Sequence, residues 1–63
     1  MTDRDKNNLY DRQSIRETSI KYMLGAYGAE QAINAIAAIA QRNDSTTELA
    51  ASTIAEIKRL NNN

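Results

Sequence analysis

The sequence predicts an all-α protein in which two helices form an antiparallel hairpin and a third helix precedes them. Three observations predict this class. Proline, the strongest helix breaker, is absent. Apolar residues recur at helical spacing, and no alternating run of β-branched residues indicates a strand. The polar segment 41–48 separates two segments rich in Ala and Ile, so one helix ends and the next begins within a few residues.

The first helix is predicted over about residues 11–24. Ser14 followed by Glu17 has the spacing of a capping box, and Asn8 or Asp11 is the alternative cap. At about 100° per residue its apolar side chains fall on two neighbouring arcs. The first arc contains Leu9, Ile20, Met23, Leu24 and Tyr27, and the second contains Ile15, Tyr22 and Ala26.

Two glycines, Gly25 and Gly28, follow this helix and leave two alternatives. They either end the helix or serve as small contact residues inside one longer helix. In the second case each would cost about 1 kcal/mol relative to Ala. Of the two, we predict a break or a kink between the first and second helices.

The second helix is predicted over about residues 29–42, and its apolar face is unusually wide. An ordinary surface helix has an apolar stripe of about 100°, whereas this face covers roughly half of the cylinder. The width indicates that the helix is covered by its hairpin partner and by something else. The face contains Ala29, Ala32, Ile33, Ile36, Ala37 and Ala40, widened by Ala35 and Ile39.

The third helix is predicted over about residues 46–60. Ser45 and Glu48 have capping-box spacing at its start, where each side chain would bind the other residue's backbone N–H. Asn43, just upstream, tolerates the left-handed conformation that often ends a helix. The apolar face of this helix contains Leu49, Ala50, Ile54, Ile57 and Leu60.

These elements form one domain over residues 1–63, with a polar arm at 1–8 and a polar tail at 61–63. The N-terminus has no apolar h-region, so we expect no signal peptide. No run approaches the roughly 18 apolar residues of a membrane span. We therefore expect a cytoplasmic protein without membrane contact.

The small size of the chain predicts self-association into a helical bundle. A domain below roughly 70–80 residues rarely gains more than 3–5 kcal/mol from one core. Disulfides and thiolate metal sites are excluded because Cys is absent, and His is absent as well. Copies of the chain would then cover one another. The residues expected at this interface are Ile33, Ile36, Ile39, Ala40, Ile54 and Ile57.

The sequence lacks the usual chemistry of an enzyme. General acid–base catalysis most often uses His, and nucleophilic catalysis often uses Cys. The nearest pair of carboxylates, Glu48 and Glu56, is typical of a solvated helix face. Gly25 and Gly28 are too few for a phosphate-binding loop. We expect no catalytic residues, no metal ligands and no cofactor.

Two alternatives involve anionic ligands. Arginine and aromatic residues together can hold a phosphate or nucleotide. A site for a small anionic ligand or RNA would then use Tyr10, Arg12, Arg16, Lys21 and Tyr22. The competing interpretation is that Arg16 ends a buried stripe and pairs with an acidic residue, and we favour it.

A DNA-reading helix-turn-helix is the other alternative. Residues 48–50 resemble the start of such a unit, but residues 51–54 continue as helix where the motif has a turn. The net charge is zero, from eight basic and eight acidic residues, without the basic excess of a nucleic-acid binder. Nucleic-acid binding is therefore not favoured.

The sequence as a whole favours a non-enzymatic interaction protein. We expect it to act through homo-oligomerisation and through binding of another protein, as a small regulator or inhibitor of bacterial or phage type. Helix-mediated assembly would bury the Ile-rich surface and leave a polar face for the partner.

Overall fold

The computed structural model describes residues 3–62, with side chains from residue 9 onward. This part of the chain folds into three α-helices without a strand. They are α1 (Asp3–Met23), α2 (Ala29–Arg42) and α3 (Thr47–Asn61). A single 3-10 turn, Asp44–Thr46, links α2 to α3. The predicted all-α class and its three helices are confirmed.

The first helix starts earlier than predicted, because α1 already begins at Asp3. Residues 3–8 of the expected polar arm are thus helical; residues 1–2, and Asn63 of the tail, lie outside the described residues. Hydrophobic periodicity identifies only the part of a helix that buries a face. No Pro or Gly interrupts the upstream segment.

Ser14 therefore lies inside α1, where it cannot serve as a helix cap. Its backbone carbonyl accepts a hydrogen bond of 2.8 Å from the Thr18 hydroxyl. The predicted capping box of Ser14 and Glu17 is wrong, since a helix interior has no free backbone N–H groups to cap.

The predicted break after α1 is confirmed, and it is a Schellman motif. The Ala26 N–H donates to the Lys21 carbonyl at 2.8 Å, and the Gly25 N–H donates to the Tyr22 carbonyl at 3.0 Å. Gly25 adopts a φ of +85°, a left-handed conformation that costs glycine no steric strain. Gly28 then precedes α2 in an extended conformation.

Asn43 joins α2 to the 3-10 turn in a way the sequence did not indicate. Its φ of −146° is extended rather than left-handed. Its side-chain oxygen accepts hydrogen bonds from the Ser45 N–H at 3.2 Å and from the Ser45 hydroxyl. The predicted capping box of Ser45 and Glu48 is therefore wrong: Ser45 is inside the 3-10 turn, and its hydroxyl is used by Asn43.

The core lies where the three helices meet. The helices α2 and α3 pack against each other, and α1 contacts both. Each helix contributes at least one fully buried apolar side chain, and half-buried neighbours surround them. The buried apolar residues are Ile15 from α1, Ala32, Ile36 and Ile39 from α2, and Ala50 and Ile57 from α3.

Within the described residues, no helix has the combination of length and apolar character that crossing a bilayer demands.

Candidate functional site

A buried carboxylate connects α1 to the end of α2. Asp11 is 5% exposed although α1 is otherwise largely polar there. Its Oδ1 accepts a hydrogen bond of 2.7 Å from Nη2 of Arg42, and its Oδ2 accepts one of 3.1 Å from Nδ2 of Asn43. Both carboxylate oxygens are thus engaged, as a buried charge requires.

The same cluster organises the connection between α2 and α3. The backbone carbonyl of Asn43 accepts the Thr46 N–H at 3.1 Å and the Thr46 hydroxyl at 2.8 Å. Thr46 is fully buried, and this hydroxyl bond satisfies its polar atom. Asn43 therefore holds the residues of the 3-10 turn by hydrogen bonds, and its bond to Asp11 connects this turn to α1.

The electrostatics of the cluster favour the ionised carboxylate. Hydrogen bonds from Arg42 and then from Asn43 hold the pKa of Asp11 below its ordinary value, and burial opposes them only in part. The carboxylate in turn raises the pKa of Arg42. A carboxylate that stays ionised with both oxygens occupied is a poor proton donor and has no open position for a substrate. The arrangement is a structural tie between helices.

The sequence contained a signal for this tie that went unused. At about 100° per residue, Asp11 falls on the same arc of α1 as Ile15 and Tyr22. An acidic residue on the buried arc of an amphipathic helix needs a cationic or amide partner. The partners themselves, Arg42 and Asn43, lie more than thirty positions away and follow only from the fold.

Replacing Asp11 by Asn is expected to lower the free energy of unfolding by about 1–2 kcal/mol at neutral pH. The variant loses the charge that faces Arg42, and its new amide N–H₂ confronts the Asn43 amide. Because the folded pKa of Asp11 is depressed, its contribution is complete above the unfolded pKa of about 3.9. The contribution is lost as the pH falls below that value toward the folded pKa.

Urea unfolding of both proteins between neutral and acidic pH measures this difference. The difference in the free energy of unfolding between wild type and Asp11→Asn should become smaller as the pH falls below about 4. Glu17→Gln on the exposed side of α1 is the matched control and should leave stability nearly unchanged. Equal stability of wild type and Asp11→Asn at neutral pH would contradict the role of the tie.

The residues predicted to hold an anionic ligand are all on α1 but do not converge. Tyr10, Arg12, Arg16 and Lys21 are exposed, and Tyr22 is half-buried and packs against the core. At about 100° per residue Arg12 and Arg16 share one side of the helix, one turn apart. Tyr10 and Lys21 lie on another side.

Lys21 has a local contact instead. Its Nζ lies 5.8 Å from the centre of the Tyr27 ring, within the range of a cation–π interaction. Tyr27 belongs to the turn between α1 and α2, and the Lys21 carbonyl already receives the Ala26 N–H. Lys21 therefore helps to close this turn, away from Arg12 and Arg16.

The residues predicted for an interface between copies are largely used within the chain. Ile36, Ile39 and Ile57 are buried core residues, and their burial is complete without a second copy. Ile33, Ala40 and Ile54 are half-buried against that core. The width of the apolar face of α2 is thus explained by contacts with α1 and α3.

The large apolar side chains that stay exposed are mainly on α1 and the turn after it. We use the name outer face of α1 for the stripe Leu9, Gln13, Arg16, Ile20 and Met23. Leu9 is 59% exposed, Ile20 56% and Met23 67%. The following residue, Leu24, is 80% exposed. The sequence placed these apolar residues on a different arc from Ile15 and Tyr22, but it did not indicate which of the two arcs the core covers.

In the described part of the chain, no three His, Cys, Asp or Glu side chains come together in a group that could hold a metal ion. Comparison with protein-family models, with curated proteins and with solved structures found no match to this chain. The fold and the interhelical tie define the described residues as a small all-α protein.

Proposed function

We propose that this chain is a non-enzymatic interaction protein that self-associates into a helical bundle and binds a partner protein. In this proposal it is a cytoplasmic regulator or inhibitor of the small bacterial or phage type. Its α2 and α3 form an antiparallel helical hairpin within the assembly. The observation that carries the proposal is the exposed apolar surface of α1 and of the turn after it, with Ile20, Met23 and Leu24 each more than half exposed.

The size of the core supports self-association. Only four large apolar side chains are buried among the described residues: Ile15, Ile36, Ile39 and Ile57. A core of this size rarely contributes more than about 3–5 kcal/mol. Contiguous exposed apolar side chains on a small protein typically mark an interaction surface. Covering that surface would add to the stability of the chain.

The chemistry of the polar residues supports a non-enzymatic role. His and Cys are absent from the sequence. Among the described side chains the only buried carboxylate is Asp11, and both of its oxygens accept hydrogen bonds from Arg42 and Asn43. A catalytic acid, base or nucleophile has to be accessible to its substrate, whereas this carboxylate is already hydrogen-bonded within the chain.

Ligand binding by the first helix receives less support. The five residues predicted for it are spread around α1: Arg12 and Arg16 share one side, and Tyr10 and Lys21 share another. A nucleotide site requires groups that converge on one point, as phosphate-binding and stacking residues do.

Sedimentation equilibrium and thermal unfolding over a range of micromolar concentrations test the proposal. We expect an oligomer whose average mass falls on dilution and whose melting temperature rises with protein concentration, because association stabilises only the folded state. A chain that stays monomeric throughout, with a melting temperature independent of concentration, would refute self-association.

A further inference from the structure

The outer face of α1 has the spacing of a coiled-coil seam. Successive members are separated by four, three, four and three positions. This alternation places residues along one line of a helix that faces a second helix. Leu9, Ile20 and Met23 on this line are more than half exposed in the single chain. Three of its five members are therefore apolar side chains that the chain itself leaves largely uncovered.

The rest of the fold leaves this face accessible. The opposite arc of α1 docks onto the core through Asp11 and Ile15, which are buried, and through Tyr22, which is half-buried. Roughly half a turn separates this docked arc from the outer face. A second helix can therefore approach along the outer face without displacing α2 or α3.

The order of side chains from Leu9 to Ile20, the first four members of the outer face, is palindromic. Leu9, Gln13, Arg16 and Ile20 run apolar, polar, polar, apolar, and their spacings of four, three and four are the same in both directions. An identical helix running in the opposite direction therefore presents Ile20 to Leu9 and Arg16 to Gln13. Such self-complementarity is the requirement of a two-fold interface, in which each copy uses the same patch.

We propose that the outer face of α1 binds the same face of a second copy of this chain, with the two α1 helices antiparallel. In this dimer Leu9 packs on the partner's Ile20, and the partner's Leu9 packs on Ile20. Between these apolar contacts, each Arg16 guanidinium donates to the side-chain oxygen of the partner's Gln13. The inference rests on the proposed self-association and assigns it to a surface other than the Ile-rich residues of α2 and α3.

Charge decides between the antiparallel and the parallel arrangement. A parallel pair would place Arg16 directly opposite the partner's Arg16 at the seam, and two facing like charges repel. The antiparallel pair offsets them and gives each guanidinium an amide oxygen. Beside the seam it also brings Tyr10 near the partner's Glu17, where the phenol is able to donate to the carboxylate.

Disulfide cross-linking tests the direction of the pair. The chain has no Cys, so Leu9→Cys and Ile20→Cys each introduce a single thiol. A disulfide requires Cβ atoms about 3.5–4.5 Å apart, which only opposite positions satisfy. When the two variants are mixed in a glutathione redox buffer, we expect the mixed disulfide well above its statistical share. Preferential formation of Ile20→Cys homodimers would indicate the parallel pair and would overturn the proposal. Statistical pairing of the two thiols would also overturn it.

A surface substitution tests the face independently of cross-linking. Ile20→Lys introduces a residue with good helix propensity, so α1 should still form, but it places a charge at the seam. We expect the dimer dissociation constant to rise at least about tenfold, with the far-UV circular dichroism of the monomer unchanged. Leu60→Lys, at a partly exposed apolar residue outside this face, is the matched control and should leave association intact.

The outcomes separate this inference from the proposed function. If the wild-type chain is monomeric, both fail. If the chain is oligomeric but Ile20→Lys associates as tightly as wild type, the outer face of α1 is not the interface and only this inference fails.

Discussion

Ile36→Ala is expected to unfold the protein at room temperature or to bring it close to unfolding. Ile36 lies in the middle of α2 with 0% exposure, so its truncation leaves a cavity among the three helices. Truncations of this type cost about 2–5 kcal/mol. A domain of this size has roughly 3–5 kcal/mol available from its core. Circular dichroism should show a lost or strongly lowered cooperative melt.

The same variant distinguishes a core residue from an interface residue. If Ile36 served mainly between copies, Ile36→Ala would yield a folded monomer. We expect an unfolded or molten chain, even at concentrations where wild type is dissociated. Asn34→Ala, at an exposed position of the same helix, is the control and should leave the melt nearly unchanged. A folded, monomeric Ile36→Ala would contradict the core assignment.

Ile15→Ala is expected to release α1 from the other two helices. Ile15 is the one fully buried apolar side chain that the described part of α1 contributes. Its truncation should cost about 2–5 kcal/mol. Most helical stability in proteins comes from tertiary packing rather than from propensity, so an undocked α1 should also lose much of its helical signal. Hydrogen exchange should show lost protection along α1.

The control for this prediction lies on the same helix. Ile20→Ala removes the same atoms from a side chain that is 56% exposed. At protein concentrations low enough to prevent association, its effect on unfolding should stay below about 1 kcal/mol, as surface substitutions usually do. Equal losses from Ile15→Ala and Ile20→Ala would show that the docked and outer arcs of α1 are misassigned.

The helices themselves were accessible from sequence because local rules govern them. The 3.6-residue periodicity of residues 29–42 matched α2, and the two glycines marked the end of α1, where Gly25 takes a left-handed conformation. Periodicity failed upstream of residue 11, where α1 extends to Asp3 through a segment without a regular apolar repeat. Caps were also misjudged, because Ser45 had a competing partner in Asn43 that spacing does not reveal.

The candidate sites were less predictable than the helices. Arg12 and Arg16 share one side of α1, but helical geometry separates Tyr10 and Lys21 from them. The tie from Asp11 to Arg42 escaped notice because its members are 31 positions apart. A helical wheel shows which residues share an arc, but it does not show which arc another helix covers.

The sequence by itself determined the all-helical class, the approximate limits of α2 and α3, and the break at Gly25. These depend on backbone propensity, capping chemistry and periodicity within a few residues. Only the tertiary structure decided that Ile36 and Ile57 are buried inside one chain and that Leu9 and Ile20 are left outside. The reason is that α1 has two apolar arcs of similar composition, and only the arc with Ile15 also carries a carboxylate, Asp11, that meets Arg42 and Asn43.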